Sequence, residues 1–167
     1  MSDQTMLLMH EGRPIKTYPI STSKFGLGSQ SGSSRTPLGK LEVAKKIGEG
    51  AKPGAVFKGR RPTGEVLRPN TPGRDPIVTR ILWLRGKESQ NANTFKRLIY
   101  IHGTPEEKNI GRPASYGCIR MKSRDVIDLY NRVGVGADVH VVRGSLAKTP
   151  EGKKYYARFG GLFRNKA

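Results

Sequence analysis

The chain holds a single cysteine, Cys118, in a turn of small residues, Ser115-Tyr116-Gly117-Cys118. One of its three histidines, His102, lies upstream at the end of an apolar run, Leu98 to Ile101. A thiol attacks carbonyl carbon as thiolate, and its ordinary pKa near ~8.5 leaves few thiolates at neutral pH. An imidazole within hydrogen-bond reach takes that proton and makes the two side chains a nucleophile and its base. Gly117 lets backbone pass close to a reacting group, so N–H groups at Gly117 and Cys118 are candidates to receive an oxyanion. The chemistry indicated is cysteine acyl transfer. The competing reading of a lone cysteine is an inert buried side chain. A partner of the right type, joined by a loop of the right length, favours the reactive one.

Several elements must position this pair. Leu98 to Ile101 reads as a buried strand delivering His102. The loop Gly103 to Ala114, with Gly103, Pro105, Gly111 and Pro113, is long enough to fold His102 back against Cys118. After Met121, Ser123 is a candidate helix cap, and Val126, Ile127, Leu129, Tyr130 and Val133 recur at helical spacing up to Gly134. That helix is expected to clamp the cysteine turn onto a sheet. Pro76 to Leu84 reads as a strand buried on both faces, with Trp83 in the core. Thr5 to Met9 and Ile15 to Ile20, across Glu11-Gly12-Arg13-Pro14, form an opening hairpin with His10 at its edge. Leu41, Val43 and Ile47 face inward from a strand over Lys40 to Ile47. Residues 48–75 read as a long loop excursion, and Ala137 to Val142 as the last strand.

Composition bounds the rest. With 167 residues, one domain can bury a core without staples. The 21 glycines and 11 prolines imply many turns and short strands, so a mainly β fold. No run approaches the ~20 apolar residues that cross a bilayer as a helix. Met1 to His10 shows no charged segment followed by an apolar core, so no export signal is visible. No histidines and cysteines fall at metal-ligand spacing, so no metal and no cofactor are expected. The net charge of +18 attracts polyanions: wall polymers, a membrane surface or nucleic acid. No RNP-like or helix-turn-helix pattern accompanies it, which argues against nucleic acid. From residue 146 the pattern dissolves into a basic extension with interleaved aromatics, to residue 167.

The central stretch also resembles a known signature. His102-Gly103-Thr104, then Gly111-Arg112-Pro113-Ala114-Ser115, then Gly117-Cys118-Ile119-Arg120-Met121 is similar to that of L,D-transpeptidase catalytic domains, which remodel peptidoglycan cross-links. Thr36-Pro37-Leu38-Gly39 resembles the TPxG turn of that family, and the likeness covers residues 5 to 143. The resemblance implies a β-sandwich of mixed sheets with one helix after the cysteine turn, over residues 1–145. It implies Cys118 as nucleophile and His102 as general base and acid, oriented by the Gly103 carbonyl. Gly117 backbone lies at the oxyanion, and Tyr116, Ser115, Arg120 and Tyr100 line the substrate. Arg120 is also open to a structural salt bridge. The implied substrate is a peptidoglycan stem tetrapeptide in the cell envelope, cut before its terminal D-alanine and joined to another stem. Alternatives are an L,D-carboxypeptidase and a weakened wall-binding domain. One departure stands out: the family has histidine where this chain has Tyr116, and tyrosine is a poor base at neutral pH.

Overall fold

The computed structural model describes residues 2–160. In chain order its strands are β1 (Thr5–His10), β2 (Arg13–Pro19), β3 (Gly39–Ile47), β4 (Ala55–Lys58), β5 (Arg61–Val66), β6 (Ile77–Gly86), β7 (Tyr100–Gly103), β8 (Ile119–Met121) and β9 (Asp138–Val141). Helix α1 spans Ser123–Arg132 and helix α2 spans Pro150–Phe159. β1 and β2 form a two-stranded antiparallel sheet. The other seven strands form one mixed sheet in which only β7 and β8 run parallel. The fold is mainly β, as the sequence indicates.

Strand β6 is the spine. Its Ile81 and Trp83 point to one face and Leu82 and Leu84 to the other, which is the alternation that burial on both sides demands. Leu82 and Leu84 join Leu41, Val43, Ile101, Ile119 and Met121 in the main core, closed by Tyr18 and Ile20 from the hairpin side and by Val126, Leu129 and Tyr130 of α1. Ile81 and Trp83 meet Phe57 and Tyr100 in a second cluster on the opposite face, and Cys118 packs against it.

Four expectations are corrected. The strand bearing His102 begins at Tyr100, because Leu98 has φ +58° and is 46% exposed. Residues 48–75 are not all loop but include the β4–β5 hairpin, which pairs onto β6 through Val56 and Phe57. Ser123 is the first residue of α1 rather than its cap. Its N–H donates to the Glu107 carboxylate at 3.0 Å, so the loop before the cysteine turn supplies the cap. The stretch after residue 146 includes a second helix: Thr149 caps α2 through the Gly152 N–H, and Tyr155 is buried beside Thr17 of β2. The remaining basic and aromatic residues of that stretch, 161–167, lie outside the described residues.

One buried amide fixes the end of the spine. Asn91 is fully buried; its Nδ2 donates to the Leu38 and Lys40 carbonyls at 3.0 Å, and its Oδ1 accepts from the Glu88 N–H at 3.0 Å. It thereby ties the turn after β6 to the start of β3. Asn91→Ala removes the amide's bonds to the Leu38 carbonyl and the Glu88 N–H, and one of two to the Lys40 carbonyl, which keeps the Lys87 N–H at 2.9 Å; a cost of about 2–4 kcal/mol is expected. Thermal unfolding should fall by about 5–15 °C; a change within 2 °C would show that the amide ties nothing.

Candidate active site

Parallel pairing of β7 with β8 places Ile101 beside Ile119 and His102 beside Arg120. Side chains alternate along both strands, so Tyr100, His102, Cys118 and Arg120 share one face while Ile101, Ile119 and Met121 enter the main core on the other. The sequence-derived pair is therefore brought to one face. His102 is buried, and its Nδ1 lies 2.7 Å from the Gly103 carbonyl oxygen. A carbonyl only accepts, so Nδ1 carries the proton and Nε2 is left with its lone pair. Cys118 is half-buried; its sulfur receives the Tyr100 N–H at 3.3 Å, and its S–H points to the Leu98 carbonyl at 3.5 Å. Among the described residues the sulfur's hydrogen bonds are to backbone, and none joins it to the imidazole.

Both groups are neutral at rest. Burial pushes the Cys118 thiol up to about 11, outweighing the Tyr100 N–H and the Arg120 and Arg97 guanidinium groups, which favour thiolate. Burial also holds His102 down at about 4; its Gly103 hydrogen bond opposes this, and the nearby Arg120 charge adds to it. The sequence reading offers Arg120 to a substrate carboxylate or to a structural salt bridge. The structure gives it two carboxylates of the chain itself, Asp75 in direct contact and Glu106 at 3.7 Å. Burial raises Asp75, against the pull of Arg120 and Thr104.

The turn itself is braced from two sides. Ser115 is buried; its Oγ donates to the Cys118 carbonyl at 2.6 Å and accepts the Gly117 N–H at 3.3 Å. The Gly117 amide is thus already engaged, whereas the Cys118 N–H has no protein acceptor among the described residues. Gly117 sits at φ +128°, a conformation suited to glycine, with the Thr36 hydroxyl donating to its carbonyl at 2.9 Å. Thr36 in turn accepts the Ser23 N–H at 3.0 Å. The threonine of the TPxG turn is therefore a brace for the cysteine turn. Tyr116 is 63% exposed; the Lys24 ammonium donates to its hydroxyl at 3.0 Å and lies 4.4 Å from its ring centre.

Residues that sequence reasoning misses are Arg97, Asp75 and Glu106. Arg97 donates to the Gly28 and Arg35 carbonyls at 3.3 and 2.7 Å, tying residues 28–35 to the segment before β7, and its charge reaches the Cys118 thiol. None of the three has a local signal, since each acts through a partner distant in sequence. Two cavities among the described residues lie elsewhere. One of about 530 Å³ opens under β1 and β9 on the far side of the sheet, and one of about 600 Å³ lies beside the β4–β5 hairpin. No cluster of three or more metal-ligating side chains occurs among the described residues.

Comparison with known proteins fits this arrangement. The profile of the L,D-transpeptidase catalytic domain, YkuD, matches residues 1–141, and the chain belongs to that family. The YkuD protein of Bacillus licheniformis is 27% identical over 141 residues, 84% of this chain and 61% of the relative; that of Bacillus subtilis is 28% identical over 140, with the same coverage. "Probable L,D-transpeptidase YbiS" of Escherichia coli is 36% identical over 61 residues, 35% of this chain and 20% of the relative. The chain thus spans about three fifths of the first two relatives' length. Among solved structures, an L,D-transpeptidase of Mycobacterium smegmatis superposes with TM-score 0.53 at 18% identity, over 84% of this chain and 54% of that one. One from Mycobacterium tuberculosis gives 0.53 at 17%, over 86% and 55%. These two show a shared fold.

The buried neutral histidine has a measurable consequence. Between pH 6.5 and about 4 the unfolded chain binds a proton that folded His102 refuses, so stability falls as pH drops through that window. The loss should approach about 3 kcal/mol, and His102→Gln should abolish that part of the slope. Urea unfolding at several pH values reads it; parallel slopes in parent and variant would contradict a buried neutral ring. For Cys118, the raised thiol predicts iodoacetamide alkylation that keeps quickening past pH 9. A plateau by pH 8 would overturn it.

Proposed function

We propose that this chain is an L,D-transpeptidase catalytic domain acting on peptidoglycan stem tetrapeptides, with Cys118 as nucleophile and His102 as general base and acid. The observation that carries the reading is the shared face of the two side chains, with Nδ1 of His102 anchored on Gly103 so that Nε2 is the free lone pair. Sulfur is released from the Tyr100 and Leu98 backbone and rotates toward Nε2 as the scissile carbonyl arrives. Catalytic hydrogen bonds commonly tighten only in the substrate complex.

The proton of the thiol passes to Nε2 while sulfur bonds to the carbonyl carbon between the third residue and the terminal D-alanine. The carbonyl oxygen gains negative charge and meets the open Cys118 N–H, with Gly117 contributing if its Ser115 contact yields. Collapse breaks the C–N bond. The imidazolium gives its proton to the departing amine, D-alanine leaves and a thioester remains. An amine of a second stem then attacks the thioester and loses a proton to Nε2. Sulfur leaves, recovers that proton, and a cross-link between two third-position residues results.

If water takes the amine's place, the product is a shortened stem and the domain is an L,D-carboxypeptidase. Tyr116 and Lys24 flank the turn where the acceptor must approach, so they are proposed to influence that partition. Ser115 positions the turn, and Tyr100 lines the face. Arg120, paired with Asp75, acts through charge rather than by binding a substrate carboxylate. The reading places the domain's work in the cell envelope, with residues 1–145 as the catalytic unit and the rest as an extension.

The test is incubation of purified protein with defined tetrapeptide muropeptides and mass analysis of products. Dimers are expected from the parent and none from Cys118→Ala; His102→Gln should lose roughly 100-fold or more in kcat. Shortened monomers alone would replace transpeptidation with hydrolysis. Identical output from parent and Cys118→Ala, or no product from either, would end the enzymatic reading and leave a wall-binding domain.

A further inference from the structure

The face that carries Cys118 continues into a group of aromatic rings with two cations beside it. Trp83 stacks on Phe95 at 4.0 Å between centroids and 5° between planes, so one side of its indole is covered. The Arg60 guanidinium lies 4.8 Å from the centre of the Trp83 ring and donates to the Tyr100 hydroxyl at 3.2 Å. Lys45 lies 5.5 Å from the same ring and 5.8 Å from Phe95. A bulge in β3 after Val43 brings Lys45 into register with Trp83.

Neither cation has a carboxylate partner among the described residues, although Arg120, Arg74, Arg85 and Lys87 each do. Arg60 is, in addition, the second residue of the two-residue turn joining β4 to β5. It adopts φ +64° after Gly59 at +55°. That turn geometry favours asparagine or glycine, and a long side chain there is strained. Strain of this kind persists where the surroundings hold a residue for use. Arg60 is half-buried on aromatic surface, its guanidinium pre-oriented by Trp83 and Tyr100, and its charge uncompensated. Pre-orientation of this sort suits a planar carboxylate, which a guanidinium can receive through two hydrogen bonds.

We propose that Arg60, assisted by Lys45, is a carboxylate-binding subsite that selects the donor stem, an inference that rests on the transpeptidase reading above. The placement fits a neighbour of the scissile bond. Tyr100 donates its N–H to the Cys118 sulfur, and its hydroxyl, at the other end of the same residue, receives Arg60. A carboxylate held there belongs to a side chain or branch one residue's reach from the carbonyl under attack. Two groups of the stem have that chemistry: the side-chain carboxylate of a diamino diacid at the third position, and the free α-carboxylate of a γ-linked second residue. Arg120, being already neutralised, does not compete for either.

Binding measured on Cys118→Ala protein separates this proposal from the question of turnover. Calorimetric titration uses four tetrapeptides: one with a diamino diacid at position three, the same with that side-chain carboxylate amidated, the same with the second residue's carboxylate amidated, and one with lysine at position three. Adding Arg60→Gln should weaken binding of the unmodified diacid stem about 10–100-fold. Arg60→Lys should recover part of that loss, and Tyr100→Phe, which frees the guanidinium, should show an intermediate one. Whichever amidation makes the parent as weak as Arg60→Gln, and insensitive to that substitution, identifies the carboxylate. Equal weakening of all four stems would reveal a structural arginine and overturn the subsite. Unchanged affinity in Arg60→Gln, or no binding of any stem to the parent, would overturn it too. Turnover by unsubstituted protein reports on the transpeptidase reading alone.

Discussion

The register between β7 and β8 is the constraint on which the site depends. Because the two strands run parallel, the chain must cross over between them, and residues 104–118 make that crossover with no helix beyond one 3-10 turn at Glu107–Asn109. A slip of β8 by one residue would turn the sulfur into the main core and bring Ile119 to the face of the imidazole, separating the pair. The register is held by contacts outside the ladder. Ser21 and Arg120 exchange backbone hydrogen bonds at 2.9 and 2.8 Å, the Thr22 carbonyl accepts from Ala114 and Ser115, and Glu107 seals the start of α1. The hairpin side, the crossover and the helix thus converge on three strand residues.

Burial sets the chemistry that this geometry permits. The same dry surroundings raise the thiol and lower the imidazole, so the charge-separated pair is disfavoured until something else arrives to stabilise it. Arg120 favours thiolate, but it is matched by Asp75 and Glu106 and its effect is secondary. On the proposed mechanism the proton moves only as the carbonyl carbon accepts electrons from sulfur, and the Cys118 N–H supplies part of the compensation. A nucleophile made on demand is spared reaction with passing electrophiles. The cost is a dependence on exact placement, which the bracing by Thr36, Ser115 and Arg97 meets.

What the sequence revealed follows a physical division. The spine at Ile77–Gly86, the hairpin at the start and helix α1 were legible because apolar periodicity is local, and the cysteine turn because its motif is contiguous. The β4–β5 hairpin escaped because Arg61–Val66 is exposed along its length and carries no alternating apolar signal. Helix α2 was hidden by a basic, glycine-containing sequence whose only inward anchors are Gly152 and Tyr155. Leu98 looked like core by its side chain, yet its left-handed backbone turns it outward. Arg120 could be assigned either way until Asp75, forty-five residues earlier, was seen against it.

The central claim is that the histidine beside the thiol is neutral and carries its proton on Nδ1. Nitrogen-15 NMR of the His102 ring in the resting protein, from pH 5 to 9, tests it most directly. The account predicts a protonated Nδ1 and an unprotonated Nε2 throughout that range. A cationic ring at neutral pH, or a proton found on Nε2 instead, would contradict it.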